Sequence, residues 1–345
     1  MLLPRQQLTI VLNALYDAGK TRFSVSHPAD QIGSLIQIEL DDPNESTVRF
    51  ESNRDEYADA IGEISRKYGS PASDELPNPN AYIQTAVASG IIELANITEI
   101  DNFLERYGSP DLNAGHRPVF AGFDTNLLPW RIADILDLRK SGYWGHNPMV
   151  NGFALATGVR DELDWDHKHS SNDVRALNEA LGPPYDDVFN QPAGTNRQGR
   201  LGELHYRQLR DHQYADEVDT GRGDEEIING YDEYIDASRK DVLLFSNDRN
   251  FVERARGQRI LAQHVDFPHE LPGKTTATWW ECGDLLYMLS IVFGIIEPPK
   301  MTLYGVWTGK DGSDWTDEHI RIDCRSPPIS ENLDRDKQLV DAWRQ

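Results

Sequence analysis

The sequence predicts an α/β protein with a largely parallel sheet and helices on both of its faces, and three observations carry that expectation. From about residue 117 to 270, strand-like and helix-like segments alternate. Two of the strand-like runs, 119–124 and 242–246, consist of buried-type residues. Each also delivers an aspartate at its carboxyl end, Asp124 and Asp248, with helical sequence directly behind it.

Taken in order, residues 1 to about 112 read as a small α+β accessory domain. Residues 7–18 carry helical apolar spacing (Leu8, Val11, Leu12, Leu15, Tyr16) closed by Gly19. Segments 23–25, 35–40 and 47–50 have the alternating faces of strands, and 55–68 is an amphipathic helix. A Pro/Ser/Asn-rich connector over 70–80 leads to further helices ending near Tyr107, and Gly108-Ser109-Pro110-Asp111 opens a linker. A leading helix followed by strands also suits a winged-helix DNA reader, set against the generic accessory domain.

In the alternating stretch, 117–270, the first strand is followed by a helix over 127–138. A strand at 152–157 precedes helix from about Arg160, and 173–181 and 224–238 are helical. After the strand at 242–246 come a helix at 251–256 and a last strand at 260–265. Between Pro183 and Arg222 the alternation breaks into Gly/Asn/Gln-rich sequence, read as a long functional or disordered loop. A mostly apolar helix at 279–293 and strands at 301–307 and 319–324 form a C-terminal extension, 271–345, expected to pack on the sheet domain.

Bulk composition narrows the class. A chain of 345 residues is long enough for two domains and a substantial core. Its two cysteines, Cys282 and Cys324, make neither a disulfide framework nor a metal-ligand pair, which points to a reducing cytoplasm. The longest apolar stretch, 285–296, is broken by Ser290 and Gly294 and is too short for a bilayer, so no membrane association is expected. The formal charge of −23 argues against a broad basic surface for nucleic acid. The acid is evenly spread, aspartate exceeds glutamate and arginine far exceeds lysine, as in a protein adapted to concentrated salt. There the screening length falls to about 3 Å at 1 M, so the charge reports habitat more than partner.

Four acids fall where a metal site can be assembled: Asp124 and Asp248 at strand ends, Glu162 just after the strand at 152–157, and Asp224 at a helix start. A helix of about 14 residues descends about 21 Å. A strand of about 6 residues climbs back about 20 Å, which returns Asp248 to the rim of Asp224. Carboxylates gathered at one rim repel one another without a cation, and their hard oxygens select Mg²⁺ or Mn²⁺. Such ions serve phosphodiester hydrolysis through an activated water. The bland reading for an Asp between strand and helix is an N-cap, while Asp161 and Asp164 compete with Glu162.

Phe123-Asp124-Thr125-Asn126, the mid-domain glutamate, Asp224-Glu225-Glu226-Ile227 and Leu244-Phe245-Ser246-Asn247-Asp248-Arg249-Asn250-Phe251 resemble the motifs of the PIN-domain nuclease family over about 117–268. The first and last motifs are fairly specific in this order, and the middle two are loose. The resemblance implies a three-layer α/β/α PIN-like fold and metal-dependent cleavage of RNA, less often DNA. It assigns Asp124, Glu162, Asp224 and Asp248 to the metal and catalytic site, with Asn126 and Ser246 orienting ligands or water. The long insertion at 183–222 departs from the family pattern, and Glu225 and Glu226 are fallback ligands for Asp224.

Phosphate-binding candidates are Arg197, Arg200, Arg207 and Arg210 in the insertion and Arg249, Arg254, Arg256 and Arg259 around Asp248, with ion pairing as the alternative. Tyr206 and Tyr214 could stack on bases or simply pack. His167, His169, His205 and His212 read as surface residues rather than zinc ligands. Trp279-Trp280 reads as an anchor of the C-terminal helix. The expectation is therefore an Mg²⁺/Mn²⁺-dependent nuclease whose flanking domains direct substrate choice or homo-oligomerisation. The runner-up is an inactive PIN-like module that binds RNA or protein, and a small-substrate phosphatase comes third.

Overall fold

The computed structural model describes residues 1–138, 148–163 and 166–343. The chain forms two compact units. One comprises Met1–Ile92, Trp165–Arg197 and His269–Gln345, the other Glu93–Asp164 and Gln198–Pro268. Neither is continuous in sequence.

Along the chain, β1 (Leu2–Pro4) and α1 (Thr9–Asp17) precede β2 (Arg22–Ser26), β3 (Ser34–Asp42) and β4 (Glu45–Phe50). Helices α2 (Arg54–Tyr68), α3 (Ser70–Ser73), α4 (Pro79–Ala88) and α5 (Ile97–Tyr107) follow. The alternating stretch begins with β5 (Val119–Phe123), α6 (Ile132–Ile135), β6 (Gly152–Ala156), α7 (Thr157–Glu162) and α8 (Ser171–Leu181). It continues with α9 (Asn196–His212), β7 (Asp216–Val218), α10 (Asp224–Ser238), β8 (Asp241–Ser246), α11 (Arg249–Gly257) and β9 (Leu261–His264). Last come β10 (Lys274–Ala277), α12 (Trp279–Phe293), β11 (Ile295–Ile296), β12 (Met301–Tyr304), α13 (Gly312–Thr316), β13 (His319–Cys324) and α14 (Pro327–Trp343).

The second unit is the expected α/β core, a parallel sheet of order β7-β6-β5-β8-β9 flanked by helices in a three-layer α/β/α arrangement. Its strands bury apolar residues on both faces: Val119, Ala121 and Phe123 in β5, all of β6, and residues 242–245 in β8. The α10 helix contributes Ile227, Ile228 and Tyr231, whose hydroxyl donates to Ala154 O at 2.8 Å. The chain builds from β5 through β6 to β7 on one side, then places β8 and β9 on the other. Strand order therefore reverses between β5 and β8, which pair from Val119↔Asp241 to Phe123↔Phe245.

Residues 93–112 were assigned by sequence to the accessory domain, but they belong to the second unit. Ala95 N donates to Asp266 O, Asn96 Nδ2 to His264 O, and Phe103 meets Phe245 edge-on at 6.0 Å. The helix expected over 127–138 is instead a 3₁₀ segment, Thr125–Trp130, followed by the short α6. Pro129 has no N–H to donate, and Arg131 turns into the left-handed region at φ 55°. The loop expected over 183–222 holds the 17-residue α9 and the edge strand β7. Leu201, His205, Tyr206 and Leu209 bury one side of α9 at helical spacing, a stripe that Gly199 and Gly202 obscure by composition.

The first unit combines two antiparallel sheets, β10-β4-β3-β2 and β1-β13-β12-β11. Between Cys282 and Phe293 every residue of α12 is buried. Thr278 and Glu281 close a capping box at its start, and Asp284 pairs with Arg5. The C-terminal extension was expected on the parallel-sheet domain, and this is corrected. Its strands find N-terminal partners, β13 beside β1 and β10 beside β4, because those edges offer unpaired ladders. Among the described residues no helix is long and apolar enough to cross a membrane.

Candidate functional site

Asp124 follows β5 directly. Its N–H donates to Phe245 O at 2.9 Å, extending the ladder one step past the paired strands. Its carboxylate is only 7 % exposed. One oxygen accepts the Thr125 amide at 2.7 Å, the other the Ser246 hydroxyl at 2.6 Å. Ser246 ends β8 and is fully buried, and its oxygen also accepts the Asp248 amide at 2.9 Å. Asp124 and Asp248 thus belong to neighbouring strand ends on the same rim, on either side of the point where strand order reverses.

Burial pushes the Asp124 carboxyl up to about 6. The Ser246 and Thr125 hydrogen bonds oppose that rise, and the charges of Asp224 and Glu162 add to it. Three acids therefore share one electrostatic neighbourhood. Hydrogen bonds tie their segments together. Glu162, the last residue of α7, accepts the Thr125 hydroxyl at 2.5 Å and the Gly223 amide at 2.7 Å. Asp224 opens α10 directly after Gly223, which holds φ 90°, a conformation that favours glycine. Half-exposed, Asp224 has the Arg254 guanidinium 3.4 Å away.

The loop carrying Gly223 is clamped to α7. Thr157 Oγ1 accepts Thr220 N at 2.9 Å and donates to Thr220 O at 3.2 Å, while Gly158 N donates to Thr220 Oγ1 at 2.8 Å. A Cβ on Gly158 would lie 1.9 Å from Gly221 O, so only glycine admits this approach. The clamp fixes Glu162 and Asp224 relative to one another.

The expected residues divide. Asp124, Glu162, Asp224 and Ser246 come together. Asp248 lies on the rim as the N-cap of α11, with Oδ1 accepting Asn250 N at 2.7 Å. Asn126 is exposed in the 3₁₀ segment. Asp161 is exposed and paired with Arg160, Glu225 and Glu226 are exposed, and Asp164 lies outside the described residues. Thr125, which bonds both Asp124 and Glu162, was missed, although its place beside Asp124 in the first motif could have signalled it. The Thr157–Thr220 clamp left no signal in the sequence.

The arginines of α9 take the ion-pairing alternative. Arg197 is fully buried on Glu75, Arg200 and Arg207 both meet Glu203, and Arg210 meets Asp211. Arg256 donates to Ala262 O at 2.9 Å, and Arg259 is exposed with φ 65°. Arg249 and Arg254 remain 76 % and 62 % exposed, with acidic neighbours no closer than 3.9 and 3.4 Å. These two present charge beside the rim. His169 and His205 are buried, which corrects the surface reading, whereas His167 and His212 are exposed. His205 lies under α9 with Nδ1 3.0 Å from Leu128 O. Tyr206 is packed and Tyr214 exposed, and Trp279 anchors α12 through Nε1 on Ser46.

Among the described residues, no group of three or more His, Cys, Asp or Glu side chains is set for holding a metal ion. The donors at the rim are carboxylate oxygens, the type that hard dications take, and the Asp124 carboxyl is raised by burial first and by the charges of Asp224 and Glu162 after it. No protein-family model matches the chain, and no curated protein matches it.

Proposed function

We propose that the second unit is a PIN-like, Mg²⁺- or Mn²⁺-dependent nuclease that hydrolyses phosphodiester bonds of nucleic acid, RNA before DNA. The observation that carries this reading is the placement of Asp124. It is a buried acid at the reversal of strand order, the position where open parallel sheets receive ligands. It feels the charges of Glu162 and Asp224 from the same rim. Asp124, Glu162 and Asp224 would hold the ion, with Asp248 beside them on the α11 cap. The bound ion would lower the pKa of a water so that hydroxide is available to attack phosphorus, and would offset charge on the leaving oxygen.

The remaining roles belong to the protein. Ser246 and Thr125 orient the Asp124 carboxylate, and Thr125 and Gly223 orient Glu162. Arg249 and Arg254 face solvent and suit phosphate oxygens of a bound strand. Asp124 takes up a proton as pH falls through about 6, which removes an anionic ligand. Protons and the dication therefore compete for Asp124, and activity is expected to fall on the acid side at a pH that moves lower as Mn²⁺ concentration rises.

The test is cleavage of a labelled single-stranded RNA in concentrated salt with added Mn²⁺. Wild type should cleave, chelator should stop it, and Asp124→Asn should bind RNA without cutting. Cleavage of equal rate in the variant, or cleavage indifferent to chelator, overturns the reading. A second reading, RNA or protein binding without hydrolysis, draws support from the internal bonding of Asp124 and Glu162, whose four carboxylate oxygens all accept protein donors. Saturable RNA binding with no cleavage by wild type at any divalent concentration would favour it.

A further inference from the structure

An unbroken row of hydrogen bonds crosses the rim of the parallel sheet. Gly223 N donates to one oxygen of Glu162 at 2.7 Å, and the Thr125 hydroxyl donates to the other at 2.5 Å. Thr125 N and the Ser246 hydroxyl hold the two oxygens of Asp124, and Ser246 Oγ accepts Asp248 N at 2.9 Å. The row follows the ends of β6, β5 and β8, three neighbouring strands. An arginine stands one residue beyond each end of it, Arg222 before Gly223 and Arg249 after Asp248.

These two arginines differ from those that the fold consumes. Arg222 is exposed and, among the described residues, has no ion-pair partner. Its backbone is nonetheless fixed on both sides. Thr220 is bonded to Thr157, Gly221 O is pressed against Gly158, and Gly223 is tied to Glu162. A charge carried on a pinned turn loses less freedom when it binds than one on a mobile loop. Arg249, the first residue of α11, is 76 % exposed, with Asp266 no nearer than 3.9 Å. An exposed pair at that distance contributes little, so its charge stays available. Guanidinium groups meet phosphate oxygens through parallel N–H donors. The two strand spacings under the row amount to about 10 Å, so a strand laid along it presents a different phosphate to each arginine.

We propose that a single RNA strand lies along this row, gripped at one phosphate by Arg222 and at another by Arg249, on opposite sides of Asp124. The proposal rests on the nuclease reading for the bond that is cut, which lies between the two grips, but not for the binding itself. A small phosphate ester seated on the acids spans neither grip, so the arrangement selects a polymer.

Fluorescence anisotropy with a labelled single-stranded oligoribonucleotide tests the assignment on the full chain carrying Asp124→Asn, with chelator present and across a KCl series. Arg222→Gln and Arg249→Gln are added singly and together, and Arg239→Gln is the control. Arg239 is exposed just past the far end of the 15-residue α10, about 22 Å from its start. Each rim substitution should weaken binding about tenfold. Each should also lower the slope of log affinity against log salt by about 0.7, as for one lost phosphate contact on a single strand. The two effects should add in the double variant, because groups on separate phosphates act independently. Arg239→Gln should change neither quantity. Absence of saturable binding overturns the proposal. So does affinity unchanged by Arg222→Gln, or weakened as much by Arg239→Gln, which would mark attraction to charge at large. Effects that fail to add place both arginines on one phosphate and overturn the two-sided path. Cleavage by wild type is measured separately: binding that responds to both rim substitutions without any cleavage refutes the nuclease reading and leaves the strand path standing.

Discussion

At the scale of single residues, Asp124 couples the stability of the second unit to pH. Its folded value, about 6, lies above the ordinary 3.8, so the protonated form is the one the fold favours. The stabilising contribution is full below the ordinary value and is lost as pH rises through about 6. The difference corresponds to roughly 3 kcal/mol. Asp124→Asn removes the ionised form, and urea unfolding should find the variant more stable by up to about 3 kcal/mol at neutral pH. That gain should vanish toward the ordinary carboxylate range. Mn²⁺ should raise the melting temperature of wild type and leave the variant unmoved. A variant less stable at neutral pH would contradict the burial argument. Ser246 works in the opposite sense, since its hydroxyl holds the Asp124 charge. Ser246→Ala should move the acid limb of the pH–activity profile upward and cost about 1–3 kcal/mol of stability through the lost donor.

At the scale of elements, the site depends on one close approach. The start of α7 and the loop before α10 touch backbone to backbone at Gly158 and Gly221, and the Thr157–Thr220 bonds hold them together. Gly158→Ala drives a methyl into Gly221 O, so the loop must shift at a point two residues from Gly223, whose amide donates to Glu162. We expect a loss of about 1–3 kcal/mol in thermal unfolding, with the Mn²⁺-induced stabilisation lost as well. Retained Mn²⁺ response in a destabilised variant would show that the clamp serves the fold alone. This contact also marks the limit of what the sequence discloses. Apolar runs ending in Asp124 and beside Asp248 were legible because strands covered on both faces write their burial into composition. The α9 helix was not, because its two glycines and buried His205 mask a stripe that packing alone reveals. Nor could spacing show that Asp248 caps α11 while Thr125 ties Asp124 to Glu162, since a cap and a ligand use the same residue type at the same place.

At the scale of the whole molecule, two kinds of electrostatics respond oppositely to salt. The net charge of −23 lies largely on solvent-exposed acids, whose mutual repulsion is screened as ionic strength rises. The Arg197–Glu75 pair is buried, and screening reaches it little. This pair joins residue 75 to the end of the 165–197 segment inside the first unit, far apart in sequence. Burial alone would push Glu75 up, but Arg197, with His169, brings it below the ordinary carboxylate range. Its stabilising contribution is therefore present above that range and is lost as pH falls through the lowered value. Replacing one partner leaves the other buried and uncompensated, which costs about 3–5 kcal/mol. Thermal unfolding of wild type and Glu75→Leu across a KCl series separates the two effects. Both proteins should gain melting temperature steeply as salt rises from low concentration to about 1 M, where the screening length has shrunk to about 3 Å. The variant should run parallel to wild type and below it at every salt concentration. Convergence of the two curves at high salt would mean that the pair is accessible to screening and that the 165–197 segment is held by something else.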